Sequence, residues 1–281
     1  MLNLLEVVKK TSEFFASKGI ESTRLNAELL LSHVLGLGRM ELYLQFERPI
    51  SDPELAKIRE LVRRRGRREP LQYVLGFTDF CGLRLKCDRR ALIPRPETEL
   101  LVATVVARCP APPGRILDLG TGGGAIALAL ASAFPGALVT AVDSSIEALA
   151  LAAENAALAG LSARVALVES DWFGRLPVGS TFDLIVSNPP YLSETEVAAA
   201  APEVREHEPH GALASAAGGF SDLARIVASS AGFLEQGGLL ALETGIGHHL
   251  QAAGAAKAAC FTRTESVRDL TGRDRIFLAW R

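Results

Sequence analysis

The spacing of apolar residues changes period along the chain, and each change marks a structural boundary. Over roughly the first ~75 residues apolar positions recur every three or four places, the helical period. Thr11 to Ile20 carries Phe14, Phe15 and Ile20 on one face, and Glu21 to Leu35 carries Leu25, Leu29, Leu30, Val34 and Leu35 before Gly36 stops it. Ser51-Asp52-Pro53-Glu54 reads as a helix start, with a capping side chain and a proline in the first turn, and Leu55, Ile58, Leu61 and Val62 form its buried stripe. Phe77 to Arg90 then alternates apolar and polar residues around Gly82, which predicts a β-hairpin. From Arg115 onward strands alternate with helices. Strands are expected at Arg115–Leu119, Leu138–Asp143, Arg164–Glu169, Phe182–Ser187 and Gly238–Glu243. Cys260–Asp269 and Asp274–Arg281 follow as an antiparallel pair about Thr271-Gly272. The pattern predicts an α/β chain in which a seven-stranded, mostly parallel sheet carries helices on both faces. The expected organisation is a helical bundle over 1–75, a hairpin linker over 76–92 and an α/β domain over 93–281.

Composition narrows this only slightly. With 48% hydrophobic and 22% charged residues, the chain has the material for a substantial core. No apolar run approaches the ~20 residues of a membrane span. The N-terminal Met1-Leu2-Asn3-Leu4-Leu5-Glu6 lacks a basic segment followed by an apolar one, so no signal peptide and no membrane partner are expected. The four cysteines (Cys81, Cys87, Cys109, Cys260) form no CxxC pair and have no histidine at metal-ligand spacing. They read as reduced thiols of a cytoplasmic protein without a metal site. Charge is uneven: residues 1–90 hold 17 Lys+Arg against 12 Asp+Glu, and the remainder 13 against 20. The basic cluster Arg63-Arg64-Arg65-Gly66-Arg67-Arg68 fits either a solvated helix face or contact with an anionic or RNA-bound partner.

Candidate chemistry gathers at the expected strand ends. Ile116-Leu117-Asp118-Leu119-Gly120-Thr121-Gly122-Gly123-Gly124-Ala125 is a strand feeding a glycine loop that opens a helix. Such a loop lets backbone approach a ligand closely. Gly120-x-Gly122-x-x-Ala125 satisfies the Rossmann dinucleotide fingerprint, and Asp143 stands ~20 residues on, where a ribose-binding carboxylate belongs. That pattern alone favours a nicotinamide enzyme. Three features favour S-adenosylmethionine instead. Asp118, before the first glycine, suits a cationic amino group better than a pyrophosphate. Asp171-Trp172, after the third strand, offers a carboxylate for an exocyclic amine and an indole for an adenine face. The fourth strand ends in Asn188-Pro189-Pro190-Tyr191, a turn with no role in hydride transfer.

Two prolines fix φ near −65°, supply no N–H and push Asn188 towards extended geometry. The resulting stiff turn presents a carboxamide, free backbone carbonyls and an aromatic face, a set that suits a planar NH2 group. Upstream, Ile93-Pro94-Arg95-Pro96-Glu97-Thr98-Glu99 is a rigid connector opening a helix, and Arg95 and Glu97 are candidates for the substrate pocket. His207 and His210, in Glu206-His207-Glu208-Pro209-His210, read as part of a lid or solvated turn rather than as a base.

The glycine loop, Asp143, Asp171 and the NPPY turn together resemble the class I S-adenosylmethionine-dependent methyltransferases that modify planar amino groups. The helical N-terminal part, Tyr73-Val74-Leu75-Gly76 and Ile93–Glu99 further resemble the protein-(glutamine-N5) methyltransferases acting on peptide chain release factors. The resemblance spans nearly the whole chain. It implies a Rossmann-like methyltransferase sheet, S-adenosylmethionine as cofactor held by Asp118, Gly120, Thr121, Gly122, Gly123, Gly124, Asp143, Asp171, Trp172 and Asn188, and a release-factor glutamine as substrate. Asn188, Pro189, Pro190 and Tyr191 are its expected catalytic and substrate-binding residues. Two departures stand out: Gly123 where serine or threonine is common, and His248 near where a glutamine is often found. The rival reading, an amino-group methylase of nucleic-acid bases, shares the catalytic motifs but calls for a basic phosphate-binding surface. The acidic balance after residue 90 argues against it, and no sequence-specific nucleic-acid binding is expected.

Overall fold

The structure is a computed structural model and describes residues 2–109 and 111–281. Its elements in order are α1 (Leu4–Ser17), α2 (Thr23–Leu35), α3 (Arg39–Leu44), α4 (Asp52–Gly66), α5 (Leu71–Leu75), β1 (Phe77–Phe80), β2 (Leu83–Lys86), α6 (Pro96–Arg108), β3 (Arg115–Leu119), α7 (Ala125–Ala133), β4 (Leu138–Asp143), α8 (Ile146–Leu158), β5 (Val165–Glu169) and β6 (Phe182–Ser187). They continue with α9 (Glu194–Ala199), α10 (Pro202–His207), α11 (Ser221–Ser230), β7 (Leu234–Glu243), α12 (His249–Ala258), β8 (Arg263–Arg268) and β9 (Asp274–Trp280). Contacts divide the chain into two compact units, Met1–Phe77 with Ala201–His207, and Thr78–Ala200 with Glu208–Arg281.

In the helical unit, α1 begins well before the expected Thr11. Asn3 Oδ1 accepts the Glu6 N–H at 2.9 Å and Glu6 Oε2 accepts the Asn3 N–H at 2.8 Å, a reciprocal cap that satisfies the first orphan donors. Leu4, Val7, Val8 and Phe15 then meet Leu30, Leu31, Leu42 and Ile58 in one apolar core. Much of the basic cluster on α4 turns inward. Arg64 forks onto Glu69 at 2.9 and 2.6 Å. Arg65 is buried and donates to Asn26 Oδ1 at 2.8 Å and Glu203 Oε1 at 2.9 Å, while Arg68 reaches Glu203 Oε2 at 2.6 Å. That ionic clasp draws α10 into this unit, a return of the chain that local pattern does not reveal.

The second unit holds the β1–β2 hairpin and a seven-stranded sheet in the order β5-β4-β3-β6-β7-β9-β8. Strands β3 to β7 run parallel, and β9 lies antiparallel between β7 and β8. Side chains alternate between faces, as a pleated strand requires. Ile116, Leu184, Val186 and Leu239 pack with α6 and α7, whereas Leu117, Leu119, Ile185 and Leu240 pack with α11 and α12. Both faces are covered, which explains the nearly unbroken apolar runs. The largest shifts from expectation are two strand starts: β7 begins earlier, at Leu234, and β8 later, at Arg263, because Cys260 adopts a left-handed φ of 64° as the chain leaves α12. Strand order reverses about β3, whose neighbours are β4 and β6, so the ligand crevice of such a sheet lies beyond the C-terminal ends of these three. Among the described residues no helix is long and apolar enough to cross a membrane.

Candidate active site

The glycine loop leaves β3 and turns over the sheet edge before α7. Gly120 has φ +69°, and a Cβ there would stand 3.3 Å from Trp172 Cζ3, so the indole lies against bare backbone. Gly124 has φ +85°, and a Cβ would meet the Ala152 methyl at 3.2 Å. Gly123 has no such φ; a side chain there would press on Leu151 Cδ2 at 3.3 Å, so the glycine that departs from the family pattern leaves room for this leucine.

Asp118 plays a different part from the one its position implies. It is fully buried, Oδ2 accepts the Thr121 hydroxyl at 2.6 Å and the Ala127 N–H at 3.1 Å, and it holds the loop from behind. Burial pushes its carboxyl up to about 7, and Oδ1 has no hydrogen-bond partner. Asp143 pins the loop from the other side: Oδ2 accepts the Gly122 N–H at 2.8 Å and Oδ1 the Ser145 N–H at 2.9 Å.

These elements border a cavity of about 340 Å³ beyond the strand ends. Of the residues expected from sequence, Gly120, Gly122, Asp143, Asp171, Trp172, Asn188 and Pro190 line it. Asp118, Thr121, Gly123, Gly124, Pro189 and Tyr191 stand behind them as loop and turn supports. Trp172 takes a left-handed φ of 49° and donates from Nε1 to Asp222 Oδ1 at 3.2 Å. Asp171 is exposed and pairs with Arg225 at 2.9 Å. Arg95 and Glu97 do not reach the lining. Arg95 is drawn instead to buried Glu208 at 2.5 Å, which also accepts the Ile93 N–H at 3.2 Å. That anchor leaves Pro209, Gly211 and Ala212 as one wall of the cavity. Among the described residues no histidine lines it.

The NPPY turn is clipped to its neighbour by Ser187 Oγ, which donates to the Leu119 carbonyl at 2.6 Å. Behind it lies a buried polar chain that local sequence does not announce. Asn188 Nδ2 donates to Thr98 Oγ1 at 3.1 Å, Thr98 Oγ1 to Glu243 Oε2 at 2.7 Å, and the Tyr191 hydroxyl to Glu243 Oε1 at 3.0 Å. Arg275 closes the chain by donating to the Tyr191 oxygen at 3.4 Å and the Thr244 carbonyl at 3.2 Å. Burial raises the Glu243 carboxyl, opposed by these donors and by Arg275; burial and the Glu243 charge raise the Tyr191 phenol. Gly219, at φ +90°, lies so close to the turn that a Cβ would overlap the Tyr191 carbonyl oxygen at 2.1 Å.

Two family models match the chain, the PrmC N-terminal domain over residues 6–76 and the methyltransferase small domain over 96–206. A release factor glutamine methyltransferase of Geobacter sulfurreducens is 43% identical over 96% of this chain and 94% of its own length. The chain belongs to the release factor glutamine methyltransferase family. A second member, from Chlorobaculum tepidum, is 42% identical over 97% of this chain and 95% of its own. Among solved structures, the ribosomal protein L11 methylase of Lactobacillus delbrueckii subsp. bulgaricus shares the fold at a TM-score of 0.50, with 25% identity over 68% of this chain and 80% of that one. As a member of this family the chain is a methyltransferase that acts on protein glutamine, and its α/β sheet is a methyltransferase fold.

Proposed function

We propose that this enzyme transfers a methyl group from S-adenosylmethionine to the side-chain N5 of the glutamine in the Gly-Gly-Gln motif of peptide chain release factors, in the cytoplasm. One observation carries the reading: Asn188, the carboxamide of an amine-presenting turn, lines the same cavity as Gly120, Gly122 and Asp143. The residues fit the donor chemically. Asp143 keeps lone pairs beyond those given to Gly122 and Ser145, enough for ribose hydroxyls. Trp172 supplies an aromatic face to the cavity. S-adenosylmethionine supplies an electrophilic methyl group on a sulfonium centre.

An amide nitrogen is a weak nucleophile because its lone pair is delocalised into the carbonyl. Asn188 Oδ1 and the Pro189 carbonyl accept its two N–H bonds and direct the lone pair into the cavity. Both bonds strengthen as positive charge develops on nitrogen, which stabilises the transition state over the ground state. Tyr191, outside the lining, braces the turn through its hydroxyl bond to Glu243. The methylated nitrogen is strongly acidic and releases its proton to water, so no side-chain base is required. Similarity to the relatives runs through the helical unit as well as the sheet, which favours a protein substrate over a nucleic-acid base; the helical unit grips the body of that substrate.

The test is single-turnover methyl transfer to a release factor at saturating donor. Asn188→Ala should lower the rate ~10²–10³-fold, the scale of one lost preorganised partner. Asn188→Leu should fall further, and Asn188→Asp should retain part of the activity. Equal rates for native, alanine and leucine forms would reduce the turn to a strand terminator.

A further inference from the structure

We propose that Thr98 and Glu243 are positioning residues that lock the Asn188 carboxamide with its oxygen towards the substrate. The inference deepens the proposed methyl transfer and rests on that reading. An asparagine side chain has two near-isosteric orientations, and only one of them serves an incoming NH2 group. With Oδ1 forward the turn accepts an N–H; with Nδ2 forward it sets donor against donor. Nothing within the NPPY turn chooses between them.

The buried chain behind the turn makes the choice. Glu243 is 1% exposed and both its oxygens are engaged by hydroxyls, Thr98 at 2.7 Å and Tyr191 at 3.0 Å. Burial raises this carboxyl, but the two hydroxyl donors and the nearby Arg275 favour its ionised form, and ionised it only accepts, so each hydroxyl gives it its single proton. Thr98, itself 3% exposed, then has only lone pairs left for the Asn188 group 3.1 Å away, and that group must be the NH2. The carboxamide oxygen is left to the side that lines the cavity. Arg275, donating to the Tyr191 oxygen at 3.4 Å, holds that hydroxyl in its donating sense. The polarity of the chain is set at Glu243 and passed through one hydroxyl to Asn188. The contacts join α6, the end of β6 and the end of β7, so three elements must be in place before the turn is oriented.

The experiment is a double-mutant cycle on the full-length protein, read as single-turnover methyl transfer to a release factor at saturating S-adenosylmethionine, with donor affinity measured by calorimetry. Thr98→Val keeps the shape and removes the hydroxyl. In the native Asn188 background it should lower the methyl-transfer rate at least ~10-fold, the scale of a lost hydrogen bond to a charged group, with donor Kd unchanged. Thr98→Ser restores the hydroxyl and should restore the rate. In the Asn188→Asp background the carboxylate presents an acceptor whichever way it turns. There Thr98→Val should change the rate by less than ~2-fold, the additivity limit of uncoupled sites. Equal losses in both backgrounds, no loss in either, or a serine form as slow as the valine form would overturn the lock while leaving the methyltransferase reading intact. A native chain that methylates no glutamine would overturn the reading, and the lock with it.

Discussion

Asp143→Ala separates a ligand-binding carboxylate from a structural cap. Both carboxylate oxygens are already engaged by backbone, the Gly122 N–H at 2.8 Å and the Ser145 N–H at 2.9 Å. The substitution therefore removes two loop anchors as well as the acceptors offered to a ribose. The freed amides border an open cavity and regain water, so the stability loss should sit near ~1 kcal/mol, the ordinary net scale for such bonds. Affinity should suffer more, because charge-assisted bonds to the ligand and the preorganisation of Gly122 are lost together. A decrease of roughly 1.5–3 kcal/mol is expected, about a 10- to 150-fold rise in Kd. Asp143→Asn should recover little, since its NH2 must confront one of the two N–H donors. Calorimetric titration with S-adenosylmethionine and urea denaturation, run on the same preparations, read the two quantities separately. A stability loss with unchanged affinity would make Asp143 a cap of the glycine loop and nothing more.

Asp118, whose carboxyl burial pushes up to about 7, binds its proton more tightly folded than unfolded. Its contribution to stability is thus full below the unfolded value near ~4 and is lost as pH rises through about 7, with a slope of up to about 1.4 kcal/mol per pH unit. Asp118→Asn should flatten the stability profile across that window in denaturation series at several pH values, and an unchanged slope would place the titration elsewhere. Gly219→Ala combines a φ of +90° with a Cβ 2.1 Å from the Tyr191 carbonyl oxygen. It should cost at least ~2 kcal/mol in thermal unfolding and slow methyl transfer as the turn is displaced; native-like behaviour on both counts would contradict this packing. Glu203→Ala strands buried Arg65 and should cost about 3 kcal/mol, the low end for a broken buried pair because Asn26 and the Glu69 carbonyl still accept from it. A loss within ~0.5 kcal/mol of native, the range of ordinary surface substitutions, would show that the clasp contributes nothing.

What sequence reveals here is what lies contiguous. Arg115–Leu119, Leu138–Asp143 and Phe182–Ser187 are apolar runs ended by glycine or proline or by a polar residue, and the structure places strands over the same residues. The glycine loop and NPPY are equally local, and their residues meet at one cavity. Asp118 shows where position fails as a guide, because whether a carboxylate faces a ligand or a helix N–H depends on the pleat and on the turn of the next residues. Thr98 reads as part of an acidic first helical turn, and Glu243 as a strand end, yet they meet across a separation of 145 residues once β6 and β7 pair. Arg65 and Glu203 are 138 residues apart, so their clasp leaves no periodic signature. The start of α1 is legible in the Asn3–Glu6 cap and in Leu4, Val7 and Val8, which carry the buried face of Thr11 and Phe15 back to the N-terminus. Charge counting likewise sees Arg63–Arg68 as a patch and cannot see that Arg64, Arg65 and Arg68 are internally paired.

The central claim is the identity of the methylated atom. Purified protein is incubated with tritiated S-adenosylmethionine and a purified, unmodified release factor, and the label is located by peptide mapping and fragmentation. The account predicts a single added methyl on the side-chain nitrogen of the Gly-Gly-Gln glutamine, abolished when that glutamine is replaced. Label on another residue, label on nucleic acid alone, or no transfer by a folded, donor-binding enzyme would contradict it.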